Sequence, residues 1–485
     1  MKYIRSDHFN TKSGVIFLFV LTSSLIFTYL AVKTNLQLGM MFIGVLLALP
    51  LLTLFLFNIK AGVYIVLTYS FFILGILRFV NIPLGVSIDI MIFILFFGIL
   101  IDSLGKKTIN SFNNPISLLI IIWLIYNLLQ ALNPASVSRI AWFYTIRGMA
   151  GLFLIYFIIL YAFNDLKSVK TLIKLWFFLA LIAAFYGLFQ EFHGLLDIEK
   201  SWVLADEERT KLIYNWGRFR KFSFFSDPTN FGILMAYTGL FCISLALGPF
   251  DLPKKILFAF MGMVMWLAMV YTGTRTAYAM IPAGVFFYGV ITLNKKSVII
   301  TTSFFAIGIA IIFSPISSIG VIDPNSLNRI RSAFDVSNDA SFQVRQVNQQ
   351  FIQPFIQSHP FGAGLGSVGV WGRKFSPDSP LSKFPPDSMY VRIAVEVGWV
   401  GLILYCALLF TILKTGIKNY YKIKDPEIKA YHLGLLIVLF SLSVANYPQQ
   451  AISLFPTIFI FFIASALLVK LRTVDETSFK PNSNP

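Results

Sequence analysis

The sequence predicts an all-α, polytopic membrane protein of about 14 transmembrane helices (12–14), with a large loop on one side that contains an amphipathic helix. Three observations carry this. The chain has 485 residues, 57% of them hydrophobic and 13% charged, and its mean hydropathy is +0.76. Apolar runs of roughly 16–22 residues recur along it, each able to cross a hydrocarbon core of ~30 Å. Lysine occupies every second connection between these runs, as loops kept on the cytoplasmic side do.

Taken in order, the spans are expected near 14–32, 36–57, 61–80, 84–101, 115–132, 143–163, 171–190, 228–249, 256–273, 276–293, 297–315, 388–413, 430–446 and 450–469. The first run, Gly14 to Val32, is long and is followed by no small-residue cleavage site, so it reads as a retained span. Lys2, Arg5 and Lys12 precede it. Lys60, Lys106 with Lys107, Lys167 with Lys170, Lys254 with Lys255, Lys295 with Lys296, and Lys414 through Lys429 fill alternate loops. Lys470 and Arg472 follow the last run. Both termini are therefore expected in the cytoplasm. The net charge of +17 is largely this topogenic lysine, which removes nucleic acid as the expected partner. Cys242 and Cys406 both fall within expected spans, which excludes a disulfide framework or a cysteine metal site as the organising principle.

The expected organisation is a set of N-terminal spans over 1–180, a core over 181–470 that includes an external loop at about 316–387, and a polar tail over 471–485, disordered from about Val474. Two loops, about 191–227 and 316–387, are much longer than the rest, and long loops are where binding and chemistry concentrate. Both fall on the side opposite the lysines. So do 12 of the 14 arginines, Arg472 and Arg5 being the exceptions.

Guanidinium grips phosphate or carboxylate through a planar fork of donors. A row of arginines at the membrane boundary therefore suits a lipid-linked anion, whereas any one of them alone fits pairing with a nearby acid or a headgroup. Arg147, Arg220 and Arg275 are the sharpest, because each adjoins a span; Arg218 lies beside Arg220 in the first long loop, and Arg345 in the second. Residues 341–358 read as an amphipathic helix, with Val344, Val347, Phe351 and Phe355 at helical spacing and capping of the bundle as its expected role. His359 then leads into a glycine run, Gly362-Ala363-Gly364-Leu365-Gly366. It matches a dinucleotide fingerprint only formally, having no strand–turn–helix context; it is expected to be a flexible turn or a tight loop that approaches a ligand closely. Asp387 stands where a helix N-cap would stand and is also placed to take a proton from a sugar hydroxyl. Tyr390 and Arg392 follow it, and Glu396, four residues after Arg392, is spaced for an ion pair on one helix face.

Four segments together resemble the O-antigen ligase and O-antigen polymerase superfamily of bacterial membrane glycosyltransferases, over roughly residues 180–470. They are Phe224-Phe225-Ser226-Asp227-Pro228-Thr229-Asn230-Phe231-Gly232, Thr272-Gly273-Thr274-Arg275-Thr276-Ala277, His359 through Gly366, and Asp387-Ser388-x-Tyr390 with Glu396-x-Gly398-x-x-Gly401. The resemblance implies an inner-membrane enzyme with its large loop periplasmic, acting on a polyprenyl-pyrophosphate-linked oligosaccharide without metal, cofactor or nucleotide sugar. Membrane lipids are implied partners, with a chain-length regulator and other glycan assembly proteins as further candidates. Carried over residue by residue, it makes Arg220 and Arg275 pyrophosphate-binding and catalytic, with Arg345 a further arginine of the loop. Asp387 is the expected base, and Arg147, Arg218, Arg392, Tyr390 and His359 are expected glycan or pyrophosphate contacts. Ligases of this superfamily carry a histidine followed by a small polar residue where this chain has Asp387-Ser388. That departure favours a polymerase of O-antigen, capsule or exopolysaccharide over a ligase that charges lipid A core. The competing class, a lipid-linked oligosaccharide flippase or polysaccharide exporter, calls for midplane charges and internal repeats, and the sequence offers few of the first and none of the second.

Overall fold

The computed structural model describes residues 22–26, 28–29, 52–78, 85–103, 112–215, 217–314, 324–332 and 340–478. Most of the first two expected spans lies outside these residues. The spans that follow are helices: α1 (Ile59–Ile76), α2 (Gly85–Ser103), α3 (Pro115–Leu129), α4 (Arg139–Ala162) and α5 (Leu166–Phe192). After the first long loop come α8 (Pro228–Ala246), α9 (Leu252–Val270), α10 (Arg275–Thr292) and α11 (Lys295–Phe313), and after the second come α15 (Met389–Tyr420), α16 (Pro426–Ala445) and α17 (Thr457–Ser478). Among the described residues ten helices are long and apolar enough to cross a membrane by length and composition; α10 and α11 occupy the positions of two further expected spans.

Short polar side chains set the helix starts. Asn58, Asn114, Ser138, Asp165 and Asp227 each accept from an amide of the first turn, satisfying donors that the helix itself leaves open. The core forms where α8 is wrapped by α9, α10 and α16, and α17 packs on α16 and α4. Phe231, Tyr237 and Phe241 of α8 are fully buried there. The first long loop folds as α6 (Asp197–Leu204), α7 (Glu207–Ile213) and a hairpin of β1 (Tyr214–Asn215) with β2 (Arg218–Phe219), antiparallel with Tyr214 opposite Phe219. It is anchored to α1 by Arg78. That guanidinium lies between the Trp202 and Phe222 rings, 5.0 and 4.6 Å from their centroids, and pairs with Glu199 at 3.3 Å.

The second long loop is described as α12 (Pro324–Ser332), α13 (Ala340–Ser358) and α14 (Gly369–Phe375). α13 is the expected amphipathic helix, but its apolar residues divide between two faces. Ile352 is buried with Val368, Phe384 and Val395, and Phe355 and Ile356 pack against them. Val344, Val347 and Phe351 remain exposed. Of the expected stripe only Phe355 lies on the inward face, beside Ile352 and Ile356.

Several expected boundaries move by four residues or more, and two differences lie near the end of the chain. The last span starts at Thr457 rather than near 450, because Pro448 and Pro456 precede it and proline lacks the N–H a helix interior needs. The tail expected to be disordered from Val474 is helical to Ser478: Asp475 is buried and accepts the backbone amides of Lys424 and Asp425.

α15 is broken at Gly398 (φ 74°, ψ 178°), and the glycine run of the second loop fills the break. Ala363 donates its amide to the Val395 carbonyl at 2.9 Å, Val400 donates to Pro360 at 3.3 Å, and the Tyr126 hydroxyl donates to the Val397 carbonyl at 2.6 Å. An interrupted helix at membrane depth persists only where its freed backbone groups find protein partners. A Cβ on Gly398 would run into the Pro360 carbonyl, so both the backbone angle and the close approach require glycine there. The run, expected as a flexible turn or as a tight loop close to a ligand, packs against the chain's own broken helix. On its other side it is held by Asn133, which donates to the carbonyls of Phe361 and Gly362 at 3.0 and 3.1 Å.

Candidate functional site

The two ends of the bundle differ in charge chemistry. At one end lysines meet acids at helix termini: Lys60 with Asp165 at 2.6 Å, Lys170 with Glu427 at 2.7 Å, Lys254 with Asp251 at 3.0 Å. At the other end the arginines converge on two places.

The first is the turn Thr272-Gly273-Thr274 that joins α9 to α10. Gly273 adopts φ 61°, and the carbonyls of Thr272 and of Gly273 itself each meet a guanidinium group. Arg220 donates from Nε to the Thr272 carbonyl at 2.7 Å, from Nη2 to the Thr274 hydroxyl at 3.1 Å and from Nη1 to the Leu212 carbonyl at 3.0 Å. Arg329, from α12, donates from Nε to the Gly273 carbonyl at 2.7 Å. Arg275 opens α10 itself. Three arginines thus surround one turn at a helix N-terminus, which adds positive potential of its own. Burial lowers the Arg220 pKa to about 10, and the adjacent Arg329 adds to the fall; the guanidinium stays charged at neutral pH. The one carboxylate that counts among its electrostatic neighbours is Asp227, whose oxygens accept the amides of Thr229 and Asn230 and the hydroxyl of Ser226. Hydrogen bonds to two carbonyls and a hydroxyl orient the Arg220 guanidinium and leave its charge in place.

The second place surrounds Asp387. Its carboxylate lines a cavity of about 330 Å³ shared with Gly369, Val370, Arg373, Lys383, Arg392 and Gln450. On its other side it lines a crevice with Arg345, Asn348, Gln349 and Ser388. The side chain is accessible, yet crowding by these walls raises its pKa above the ordinary carboxylate value, against the pull of Arg345. Asp387 is not the N-cap of α15. Ser388 is, its hydroxyl accepting the Val391 amide at 3.5 Å. The structural role expected for Asp387 therefore belongs to its neighbour, and its carboxylate faces the cavity instead.

Behind the cavity runs a chain of contacts. Arg392 pairs with Glu396 at 3.2 Å, as the spacing predicts, and donates from Nη1 to Gln450 at 2.7 Å. Gln450 in turn donates to the Pro386 carbonyl, next to Asp387. The stretch that carries Gln450 joins the two places, because Asn230, at the start of α8, donates to the Phe455 carbonyl at 2.7 Å.

The remaining expected contacts have other partners. Arg147 pairs with Asp89 at 3.1 Å, and Arg218 pairs with Glu191 at 3.4 Å. The Tyr390 hydroxyl donates to the Ser443 carbonyl at 2.7 Å. His359 stacks on Phe355, centroids 4.1 Å apart, with Nδ1 2.9 Å from the Ser358 hydroxyl. It ends α13 and does not line the Asp387 cavity. Sequence reasoning passed over Arg329 and Gln450 as site residues. Arg329 was visible only as one more arginine of the long loop, and nothing in the sequence marks Gln450.

Compared with known proteins, residues 260–406 match the model of a family described as O-antigen ligase. That stretch holds the Arg275 turn, Arg329, Arg345, Asp387, Arg392 and Glu396 and leaves out Arg220 and Gln450. No curated protein matches the chain.

Proposed function

We propose that the chain, whose residues 260–406 match the O-antigen ligase family model, belongs to the O-antigen ligase and polymerase superfamily and polymerises polyprenyl-pyrophosphate-linked oligosaccharide repeat units on the outer face of the bacterial inner membrane. The observation that carries this reading is the convergence of Arg220, Arg275 and Arg329 on the Thr272–Thr274 turn. Guanidinium groups gathered at a helix N-terminus suit a leaving group that gathers negative charge as its bond breaks.

In this reading an acceptor sugar hydroxyl attacks the anomeric carbon of the donor glycan. The new C–O bond forms as the bond from the anomeric carbon to the pyrophosphate oxygen breaks. Asp387 takes the hydroxyl proton, and the bond pair leaves with the polyprenyl pyrophosphate. Arg275 and Arg329 hold that pyrophosphate, and Arg220 holds the turn while adding its charge. Arg345 keeps Asp387 ionised. Arg147 and Arg218, matched by acids, and Tyr390 and His359, bonded elsewhere, carry no step.

A carboxylate rather than a histidine at the cavity favours the polymerase over the ligase. The test is product analysis with purified protein in nanodiscs, supplied with polyprenyl-pyrophosphate oligosaccharide alone. A ladder of multiples of the repeat unit, with release of polyprenyl pyrophosphate, is expected. Transfer that occurs only once lipid A core is added would make the protein a ligase.

A further inference from the structure

The cavity beside Asp387 holds more positive charge than the proposed chemistry uses. Its lining includes Arg373, Lys383 and Arg392, with Asp387 as the sole acid among the lining residues. Arg392 is matched by Glu396, which packs behind the cavity rather than in it. Arg345 faces Asp387 from the crevice on the other side. Among the described residues that line the space, that leaves the cations of Arg373 and Lys383 with no carboxylate of their own.

The cavity wall is also firmly placed. α14 has two faces. Val370 and Arg373 line the cavity, while Trp371 and Phe375, four residues apart, stack on Tyr144 of α4 with centroids 4.9 and 5.2 Å away. Three stacked rings hold this short helix against the bundle, so Arg373 is carried on a fixed element. Lys383 follows ten residues later, at the end of the 380–383 turn, whose Ser382 is buried and donates to the Ser379 carbonyl at 2.7 Å. A volume near 330 Å³ is at the small end of ligand sites and accommodates one or two sugar rings.

We propose that this cavity is an acceptor subsite selective for an acidic sugar, with Arg373 and Lys383 binding a carboxylate on the glycan next to the hydroxyl that Asp387 deprotonates. This rests on the polymerase reading for the word acceptor and on the cavity alone for the word acidic. A carboxylate gripped by two cations gains charge-assisted hydrogen bonds that a neutral isostere cannot make. The same lining chemistry would also grip a phosphate, so the lipid pyrophosphate is the alternative occupant.

The experiment measures binding rather than turnover, so that it stands apart from the polymerase assay. Full-length protein in nanodiscs of zwitterionic lipid is titrated with glucuronate and with its uncharged isostere, glucuronamide. The wild type is expected to prefer glucuronate on the order of tenfold or more. The double variant Arg373→Gln, Lys383→Gln is expected to lose that preference, and Lys374→Gln, which faces Trp371 and Phe375 rather than the cavity, is expected to keep it. Equal binding of the two probes by the wild type, or a preference that survives in the double variant, overturns the proposal. A second titration uses polyprenyl pyrophosphate without glycan. Weaker binding in Arg275→Ala but not in the double variant keeps the pyrophosphate at the Thr272–Arg275 turn. Weaker binding in the double variant alone assigns the cavity to the pyrophosphate and overturns the acidic-sugar assignment. A glucuronate preference together with no polymer would remove the polymerase reading and leave the acidic subsite standing.

Discussion

The Thr272–Arg275 turn and the Arg392 face of α15 both present arginine at the same end of the bundle, and they use it in opposite ways. Around the turn, Arg220 gives its hydrogen bonds to two carbonyls and a hydroxyl, and Arg329 gives its Nε to the Gly273 carbonyl. On α15, Arg392 gives its Nε to Glu396. A carbonyl orients a guanidinium and leaves its full charge in place; a carboxylate orients it and cancels it. Arg147 with Asp89, Arg218 with Glu191, and Arg78 with Glu199 belong to the second kind. The number of arginines on one side of a membrane protein therefore says little about anion binding until each partner is known.

The largest effect should come where the proposed chemistry has one group and no substitute. Asp387→Asn keeps the shape and removes the base, and a positioned general base is worth about 10²–10⁴-fold in rate. Polymerisation measured on the purified variant is expected to fall within that range while the protein folds normally. Activity within a factor of about two of wild type would leave Asp387 without a proton-transfer role. Arg275→Ala should follow, with a loss of about 10²–10³-fold, the range seen when one preorganised donor to a developing negative charge is removed. Normal-length polymer from this variant would break the contrast between the turn and α15.

Arg329→Lys sharpens the same contrast. Lysine keeps the charge but lacks the planar fork that binds the Gly273 carbonyl through Nε. A drop of about tenfold, roughly 1.4 kcal/mol, is expected in kcat/KM at an unchanged protein level. An undiminished rate would mean that charge alone matters at the turn and its geometry does not.

The spans were legible because lysines, prolines and short capping side chains interrupt the apolar runs wherever a helix ends, and those signals are local. Asn114 with Pro115 and Asp227 with Pro228 mark helix starts in the sequence as plainly as in the structure. What the sequence could not show is pairing over distance. The glycine run reads as a ligand loop until Gly398, some 30 residues later, is seen to break its helix against Pro360. Arg329 reads as one arginine among many until its partner proves to be a carbonyl 56 positions away. Asp387 and Ser388 are adjacent, both cap helices well, and only the observed bond from the Val391 amide assigns the cap to Ser388.

Arg345 offers a smaller test, on pH. Crowding raises the Asp387 pKa and Arg345 lowers it. A base must be deprotonated, so the rate falls as pH drops through that raised value, giving an acid limb above the ordinary aspartate pKa of about 3.9. Arg345→Gln removes the lowering influence, so the limb moves to higher pH. The pH profile of kcat/KM checks this, and a limb that stays in place or moves down would detach Arg345 from Asp387.

Ser388→Ala should have the smallest effect, and on stability rather than chemistry. The hydroxyl caps α15 at a long 3.5 Å, and removing a serine cap costs about 0.5–2 kcal/mol; the geometry places this one toward the low end. Thermal unfolding in detergent should show a Tm a few degrees lower with the rate per folded molecule nearly intact. Asp387→Asn should show the reverse: unchanged Tm and lost turnover. If the two variants exchanged these phenotypes, the carboxylate would be the cap and the hydroxyl the reactive group. The second basic place would then differ from the Thr272–Arg275 turn only in its architecture, because the acid that separates the two chemically would be occupied by the helix.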